Sequence, residues 1–212
     1  MKKGYFITFE GAEGSGKSTQ IKRAASFLRN RGKRVVLLRE PGGTRVSEAI
    51  RDILLNKKFR EMSEAAELLL YLAARAQLVR EKIIPALTAG KVVICDRFVD
   101  STLAYQGFGR GISLAVIQSF GRFVCGVGAR HASRLWPDLT FVLDIVPSQG
   151  LKRGGRRDRI ERQSLPFHNR VRRGFLALAK KNPGRFRVLD ARGSKETIAR
   201  KIAAILQKEM SF

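Results

Sequence analysis

Residues 11–18 have the residue types and the spacing to hold the phosphate groups of a nucleotide. They read Gly-Ala-Glu-Gly-Ser-Gly-Lys-Ser and match the P-loop pattern G-x-x-x-x-G-K-[ST] at every fixed position. In such a loop the backbone N–H groups point at phosphate oxygens, Lys17 reaches the terminal phosphates, and the Ser18 hydroxyl binds Mg²⁺. The loop follows the apolar run Tyr5–Phe9 and precedes a helical pattern across Ser18–Arg31, as the P-loop context requires. We therefore predict a nucleotide-phosphate site rather than an ordinary glycine-rich turn.

Four other charged residues fall where chemistry is expected. Asp96 ends an apolar run and is placed to hold Mg²⁺ directly or through water, or else to cap the next segment. Arg97 offers a planar fork that suits bidentate phosphate binding. Glu13 lies inside the P-loop beside phosphates that its charge would repel, which an acceptor hydroxyl would explain. Glu40 either acts on the metal through water or fixes the turn in which it lies.

Short apolar runs predict five strands, and the segments between them have the spacing of helices. The strands are predicted at Tyr5–Phe9, Arg34–Leu38, Lys91–Cys95, Leu139–Ile145 and Phe186–Asp190. The helices are predicted at Ser18–Arg31, at Val46–Leu55, at Glu64–Leu87 after a Ser63 cap, from Ser113 to Gly126, from Pro147 onward, at Arg162–Lys180 and at Ser194–Gln207. This alternation predicts one α/β domain over residues 1–212, with a parallel sheet wound by helices on both faces. Ligands of such sheets gather at the carboxyl ends of the strands, which is where the residues singled out above fall.

The chain is strongly basic, because 42 Lys and Arg residues against 18 Asp and Glu residues give a net charge of +24. Such a charge suits nonspecific binding of nucleic acid, and it also suits an enzyme that holds two phosphorylated substrates. Composition alone does not choose between them. No apolar run reaches the ~18 residues of a membrane span. The two cysteines make neither a disulfide framework nor a metal set, and Cys95 is expected to be buried, so we expect a cytoplasmic protein.

Five motifs, taken in order, resemble those of bacterial thymidylate kinase. They are Phe9-Glu10-Gly11 joined to the P-loop, Arg39-Glu40-Pro41-Gly42-Gly43-Thr44, Asp96-Arg97-Phe98, Ser101–Gly107 and Asp158–Ser164, within a match from Phe6 to Ala191. Any one of the motifs beyond the P-loop is weak, but five in order are specific. The resemblance implies a P-loop nucleoside monophosphate kinase fold and transfer of the γ-phosphoryl group of ATP to dTMP, giving dTDP and ADP for dTTP synthesis. It also implies Mg²⁺ as the cofactor.

The resemblance carries roles over to particular residues. The expected ATP-binding residues are Gly11, Ala12, Glu13, Gly14, Ser15, Gly16, Lys17, Ser18, Thr19 and Arg192. The expected dTMP-binding residues are Glu13, Arg39, Tyr71, Arg75, Arg97, Ser101, Tyr105 and Gln106. The expected catalytic residues are Lys17, Arg97, Arg153 and Arg159, and the expected metal-binding residues are Ser18 and Asp96.

Several of these roles are specific to the acceptor. Glu13 is expected to bind the 3′-hydroxyl of the deoxyribose, and Arg97 to bridge the acceptor phosphate and the γ-phosphate of ATP. Tyr71 and Arg75 lie four residues apart on one helix face. The resemblance implies that the ring stacks on thymine and that the arginine hydrogen-bonds the base edge. The usual residue at the first of these positions is Phe. A core tyrosine beside an exposed arginine is the alternative. Arg39 is expected to contact the acceptor phosphate.

The segment at about 150–162 is predicted to be a short arginine-rich lid. Gly154-Gly155 would supply a hinge, and the candidate cations are Arg153, Arg156, Arg157 and Arg159. The P-loop has Gly14 where one branch of the family has an arginine, so the chain resembles the branch that places its arginines in the lid. The segment is shorter than that branch usually has, which leaves the catalytic arginine open, with Arg153 first and Arg159 second. His131 and His168 lack partners at ligand spacing and are interpreted as structural or exposed.

The resemblance also implies a homodimer packed through helices, with the apolar helix around Leu68–Ile84 as one candidate surface. Specific binding of nucleic acid and contact with a membrane are not expected. Two alternatives remain open from the sequence. One is a related nucleoside monophosphate kinase of different or broader specificity, and the other is a basic P-loop ATPase that binds nucleic acid.

Overall fold

The computed structural model describes residues 4–126, 135–153 and 158–210 of the chain. Within these ranges the strands are β1 (Tyr5–Glu10), β2 (Val35–Arg39), β3 (Val92–Asp96), β4 (Leu139–Asp144) and β5 (Phe186–Asp190). All neighbouring strands are parallel, and they form one sheet in the order β2-β3-β1-β4-β5. The predicted five-stranded parallel sheet is therefore confirmed, with strand bounds close to those expected from the apolar runs.

The helices begin and end near most of the predicted positions. They are α1 (Lys17–Arg29), α2 (Arg45–Leu55), α3 (Glu64–Leu78), α4 (Ile84–Thr88), α5 (Val99–Thr102), α6 (Leu114–Gly126), α7 (Pro147–Arg153), α8 (Leu165–Lys181) and α9 (Lys195–Met210). A π-helical segment, Val79–Ile83, joins α3 to α4, and a second one, Leu103–Gly109, extends α5. The predicted helix from Glu64 is thus continuous but locally widened.

Two helix starts differ from the expectation. The sequence predicts α8 from about Arg162, but it begins at Leu165, because the Ser164 side chain caps it by accepting a hydrogen bond from the Phe167 N–H. The sequence does not predict α5 and its π-helical extension, because the glycines in residues 103–109 weaken the helical periodicity. α5 and its π-helical extension carry three of the expected site residues, Ser101, Tyr105 and Gln106.

Alternate residues of each strand face opposite sides of the sheet, and both sides are covered. Ile7 and Phe9 of β1 pack with α1 and α9 in one apolar cluster. Phe6 of the same strand packs on the opposite side, with residues of α3, β3 and α6. A third cluster joins α3, the π-helical segment Leu103–Gly109, α6 and α8. The predicted arrangement of helices on both faces is confirmed.

The strand register brings the candidate residues to one edge of the sheet. Phe9 pairs with Asp96, and Asp96 pairs in turn with Arg39. The P-loop follows β1, so its residues lie beside the carboxyl ends of β2 and β3. Cys95 is buried, as predicted. No helix in the described ranges is both long enough and apolar enough to cross a membrane. Gly154, Gly155, Arg156, Arg157 and His131 lie outside the described residues.

Candidate active site

A cavity of about 320 Å³ opens at the carboxyl ends of β1, β2 and β3. One end is formed by the P-loop and the other by α3 and the π-helical segment after α5. Its lining includes Glu13, Gly14, Lys17, Ser18, Arg39, Glu40, Arg51, Tyr71, Arg75, Asp96, Arg97, Ser101, Tyr105 and Gln106. All eight residues expected to bind the acceptor are in this lining, together with the P-loop lysine.

The P-loop adopts a backbone that only glycine accepts easily. Gly11, Gly14 and Gly16 have φ values of 131°, 68° and 87°. Lys17 folds back over the loop, and its Nζ donates to the carbonyl oxygens of Gly11 and Ala12 at 3.0 Å each. Burial, with the nearby Arg97 charge as a second cause, lowers the pKa of Lys17 to about 8. A phosphate group at the loop would replace those carbonyls with stronger, charged acceptors.

Gly14 meets α7 at a distance that excludes a side chain. A Cβ atom built on Gly14 would lie 2.0 Å from the Gly150 carbonyl oxygen, and one built on Gly150 would lie 2.2 Å from the Glu13 carbonyl oxygen. The two glycines thus let the backbone of α7 touch the backbone of the P-loop. An arginine at position 14 would require both this packing and the positive φ to change.

Arg97 joins the P-loop to the helix that follows β3. Its backbone has φ 70°, an uncommon conformation for a residue other than glycine and one that is found at functional sites. Its Nη1 donates to the Gly11 carbonyl oxygen at 3.1 Å and to the Ser101 hydroxyl at 3.3 Å, and its Nη2 donates to Glu13 Oε1 at 3.1 Å. The guanidinium therefore lies between the loop that would hold the donor and the wall of the acceptor cavity.

Glu13 has a different neighbour on each carboxylate oxygen. Its Oε1 accepts hydrogen bonds from Arg97 and from the Tyr105 hydroxyl, the latter at 2.5 Å. Its Oε2 lies 3.5 Å from Nδ1 of His168, which is buried. Burial alone would raise the pKa of Glu13, but the His168 contact and the charges of Arg97 and Lys17 hold that pKa well below its usual range. Glu13 is therefore an ionised hydrogen-bond acceptor at neutral pH.

The contact of His168 with Glu13 could not be anticipated from the sequence. The imidazole comes from α8, far along the chain from the P-loop, and no local spacing pattern connects the two residues. The only sequence signal is a polar residue on the apolar face of α8, between the buried Phe167 and Val171.

Asp96 and Ser18 have the oxygen atoms and the surroundings that a Mg²⁺ ion requires. Asp96 Oδ1 is buried and has no hydrogen-bond partner among the described residues. Ser18 lies in the first turn of α1 and lines the same cavity. A carboxylate and a hydroxyl beside a phosphate loop are the oxygen donors that Mg²⁺ takes in such sites. These residues fit the cation, and the described residues hold no cluster of three or more metal-binding side chains that would compete.

Arg75 is not an exposed arginine but one of the most buried side chains, at 1% exposure. Its Nε donates to Glu40 Oε2 at 2.8 Å, and its Nη2 donates to Thr102 Oγ1 at 2.8 Å. Its Nη1 has no partner among the described residues, although the side chain lines the cavity. Glu40 thus fixes the arginine, and one guanidinium nitrogen, Nη1, remains to donate to a ligand. Tyr71 lines the same end of the cavity.

Two more arginines lie at the rim of the cavity. Arg39 donates through Nη2 to both carboxylate oxygens of Glu48, at 3.0 and 2.8 Å. Arg51 donates to the Pro41 carbonyl oxygen at 2.7 Å and lines the cavity from α2. Sequence reasoning misses Arg51 because a single arginine in an amphipathic helix is usually a solvated side chain.

A buried group of polar side chains supports the acceptor end. Glu67 Oε1 accepts from Gln106 at 2.9 Å, and Glu67 Oε2 lies 3.0 Å from Arg110 Nη2 and 2.7 Å from Arg159 Nη2. The Nε of Arg159 also donates to the Leu54 carbonyl oxygen at 2.8 Å. The structure therefore does not bring Arg159 to the P-loop. It places that residue in an ion pair behind the cavity wall.

The remaining candidates have the following contacts. Arg153, at the end of α7, donates to the Ala191 carbonyl oxygen at 3.3 Å. Arg192 is exposed and pairs with Asp190 after β5. Thr19 is half-buried in the first turn of α1. Ser101 donates to Glu10 and also lines the cavity. The described structure thus gathers the expected acceptor residues, Lys17 and Ser18 in one cavity, whereas Arg153, Arg159 and Arg192 are not in its lining.

Comparisons with known proteins agree with this arrangement. A family model described as thymidylate kinase matches residues 9–202. A thymidylate kinase of Geobacter sulfurreducens is 50% identical over 212 residues, covering 96% of each chain. A thymidylate kinase of Pelotomaculum thermopropionicum is 51% identical over 193 residues, covering 89% of this chain and 86% of its own.

A solved structure shares the fold over nearly the whole chain. The crystal structure of thymidylate kinase from Ehrlichia chaffeensis superposes with a TM-score of 0.77 at 36% identity, covering 97% of this chain and 99% of its own. The match in sequence and the match in fold extend over the same elements that build the cavity.

Proposed function

This chain belongs to the thymidylate kinase family, and on that premise we propose which substrates it uses and which residues hold them. The family makes it a nucleoside monophosphate kinase, a phosphotransferase. The proposed reaction transfers the γ-phosphoryl group of ATP to dTMP, giving ADP and dTDP. One observation carries this proposal: a single cavity joins the P-loop lysine to a deep pocket with an aromatic ring and a buried arginine.

The P-loop is the proposed site for the triphosphate of ATP. Its backbone N–H groups and Lys17 bind the phosphate oxygens, and Gly11–Thr19 with Arg192 make up the donor site. Ser18 and Asp96 would hold Mg²⁺, which supplies positive charge to the phosphate oxygens when it is bound. The unpartnered oxygen of Asp96 supports that role.

The opposite end of the cavity is the proposed site for the thymidine of dTMP. The ring of Tyr71 stacks on the base, and the free N–H of Arg75 Nη1 donates to its edge. Glu13 accepts the hydrogen bond of the 3′-hydroxyl. Because Arg75 is fixed by Glu40 on two of its nitrogens, it can present the third without losing its own orientation.

Arginines lie where the two substrates meet. We assign the acceptor phosphate to Arg39, Arg51 and Arg97, which all line the cavity. Lys17 lies beside Arg97, since both donate to the Gly11 carbonyl oxygen. A phosphate oxygen of dTMP forms the new bond to the γ-phosphorus of ATP. The bond between the γ-phosphorus and the β–γ bridging oxygen breaks, and ADP leaves. The enzyme's contribution to such a step is mainly positioning and neutralisation of charge. Arg97 is proposed to serve both phosphates because it donates to Gly11 in the P-loop and to the Ser101 hydroxyl outside it.

Three further features belong to the same proposal. Arg153 is the lid arginine proposed to stabilise the charge of the transition state. The chain acts as a homodimer. It functions in the cytoplasm and depends on Mg²⁺ for activity.

The function is tested by measuring ADP release with dTMP, dUMP, dCMP, dGMP and AMP in parallel, with ATP and Mg²⁺ present. We expect dTMP to give the highest kcat/KM and Lys17→Ala to abolish the activity, because the terminal phosphates lose their bound cation. Comparable rates with several of the nucleotides would favour a kinase of broader specificity. ADP release that needs no nucleotide acceptor and rises with added DNA or RNA would instead favour the basic ATPase.

A further inference from the structure

His168 and Glu13 face each other, and each has a buried polar atom without a hydrogen-bond partner among the described residues. His168 lies on α8 behind the cavity and is 1% exposed. Neither of its ring nitrogens has a hydrogen-bond partner among the described residues, and the same holds for Glu13 Oε2. A buried polar group without a partner costs about 1–3 kcal/mol. His168 Nδ1 and Glu13 Oε2 are 3.5 Å apart, so each atom can serve as the hydrogen-bond partner that the other lacks.

The two oxygens of Glu13 are divided between the cavity and α8. Oε1 receives Arg97 and Tyr105, which both line the cavity. Oε2 points away from these residues, toward the imidazole. A carboxylate that is bound on only one oxygen can still rotate about its last torsion, which is broad for such side chains. A donor on the second oxygen would remove that freedom.

The imidazole is itself held in place. The backbone N–H of His168 donates to the Ser164 carbonyl oxygen at 3.2 Å, within the first turn of α8. The neighbouring Phe167 ring meets the imidazole edge-on, with centroids 5.4 Å apart, and also packs 6.2 Å from the Tyr105 ring. Two side chains of α8 therefore lie near the Glu13 carboxylate. His168 faces Oε2, and Phe167 packs against Tyr105, which donates to Oε1.

We propose that His168 is a positioning residue that donates its Nδ1–H to Glu13 Oε2 and fixes the carboxylate for the 3′-hydroxyl of the acceptor. The present separation is at the outer limit of a hydrogen bond, and an approach of about 0.5 Å gives the ordinary length. The inference rests on the proposed function, because it assigns Glu13 to that hydroxyl. It makes α8 part of the specificity for the sugar, although no atom of His168 lines the cavity.

The test compares substitutions that differ in where they place a donor. His168→Asn puts an amide nitrogen near the position of Nδ1, His168→Gln puts one near Nε2, and His168→Phe keeps a ring without a donor. Leu178→Ala is the matched control, because it removes a buried contact from the same helix without touching Glu13. The readout is the ratio of kcat/KM for dTMP to kcat/KM for 3′-deoxy-dTMP. This ratio does not depend on the fraction of active protein.

The expected result is that His168→Phe and His168→Gln lower the ratio at least fivefold, mainly through KM for dTMP. His168→Asn and Leu178→Ala should keep it within twofold of the parent. If His168→Phe does not fold, the contrast between Asn and Gln decides, and equal ratios for these two variants would overturn the inference. A parent enzyme that does not distinguish the two acceptors would sink the Glu13 assignment as well. If the parent distinguishes the two acceptors and His168→Phe has the same ratio of kcat/KM values, the proposed role of His168 alone is wrong.

Discussion

At the scale of single residues, Glu10 is an acidic group that the fold keeps away from water. It ends β1 beneath the P-loop, where Oε1 accepts from the Phe98 N–H at 2.8 Å and Oε2 from the Ser101 hydroxyl at 2.5 Å. Burial, and then the charge of nearby Asp100, raise the pKa of Glu10 from 4.5 to about 8. The folded protein therefore favours the protonated carboxyl group at pH values where the unfolded chain has lost that proton.

This shift predicts a dependence of stability on pH. Between about 4.5 and 8 the folded state binds more protons at Glu10 than the unfolded state, so the free energy of unfolding falls as the pH rises. The contribution is complete below 4.5 and is lost as the pH passes through 8. Glu10→Gln cannot ionise, so the stability of the parent relative to this variant should fall by up to about 1.4 kcal/mol per pH unit. Denaturant unfolding of both proteins between about pH 5 and 9 measures this difference in the free energy of unfolding. A difference that does not change with pH would contradict the prediction.

Arg153 is the lid arginine that can be tested against a close neighbour. If it stabilises charge that develops only in the transition state, Arg153→Ala should lower kcat about 10³-fold and leave KM for dTMP nearly unchanged. Lys152→Ala removes the same charge from the adjacent exposed position and serves as the control. Single-turnover transfer with both substrates saturating is the measurement. A rate within threefold of the parent for Arg153→Ala would remove this residue from the proposed machinery.

Arg159 is expected to act on stability rather than on the chemical step. It is buried and pairs with Glu67, so Arg159→Ala leaves that carboxylate with less compensation. We expect the free energy of unfolding to fall by about 3 kcal/mol, while kcat of the folded enzyme stays close to that of the parent. Arg162→Ala, at an exposed position nearby, should change the stability by less than about 0.5 kcal/mol. A large loss of kcat without loss of stability would return Arg159 to the catalytic group.

At the scale of secondary structure, the sequence is informative where a pattern is local. The strands can be predicted close to their bounds, because each is a short apolar run ended by glycine or charged residues, as at Glu10 and Asp96. The start of α3 follows from Ser63, whose side chain accepts from the Ala66 N–H. The P-loop is equally clear, since its glycines and its lysine have a fixed spacing.

The parts that could not be predicted depend on contacts between distant segments. The sequence leaves open an exposed Arg75, because its partner Glu40 follows β2 and not α3. Helix periodicity cannot predict a contact between these two segments. The same is true of Arg159 with Glu67 and of His168 with Glu13. In each case a buried ionisable side chain lies beside an oppositely charged or polar group that only the fold brings near.

Gly150 tests whether the contact between α7 and the P-loop is needed for function. Gly150→Ala would place a Cβ atom 2.2 Å from the Glu13 carbonyl oxygen, so α7 or the loop must move. We expect KM for ATP to rise at least tenfold, because a displaced loop misdirects its N–H groups. Gly184→Ala is the control, since the Cβ atom that it adds would lie more than 4 Å from every described heavy atom outside residues 183–185. Unchanged kinetics for Gly150→Ala would mean that the loop tolerates the displacement.

At the scale of the whole molecule, four exposed apolar residues of the described chain lie on α3 and α6. Val116, Phe120 and Phe123 recur on one side of α6 and are exposed, with Phe123 at 68%. Leu69 is exposed on α3, whereas Leu68 and Leu72 are buried inside the subunit. We therefore propose that the surface for a second copy is narrower than the expected Leu68–Ile84 helix and includes α6. An exposed apolar patch of this kind is typical of an interaction site.

The proposed homodimer can be tested by placing a charge on this surface of α3 and α6 and, as a control, on the edge of the sheet. In a two-fold symmetric dimer the same residues meet in both copies, so Phe123→Glu introduces two like charges into one apolar interface. We expect light scattering at micromolar concentration to give the mass of a dimer for the parent and of a monomer for Phe123→Glu. Val188→Glu changes an exposed apolar residue on the edge strand β5 and should remain dimeric. Dissociation by Val188→Glu alone would move the interface to the sheet edge, and a monomeric parent would refute the dimer.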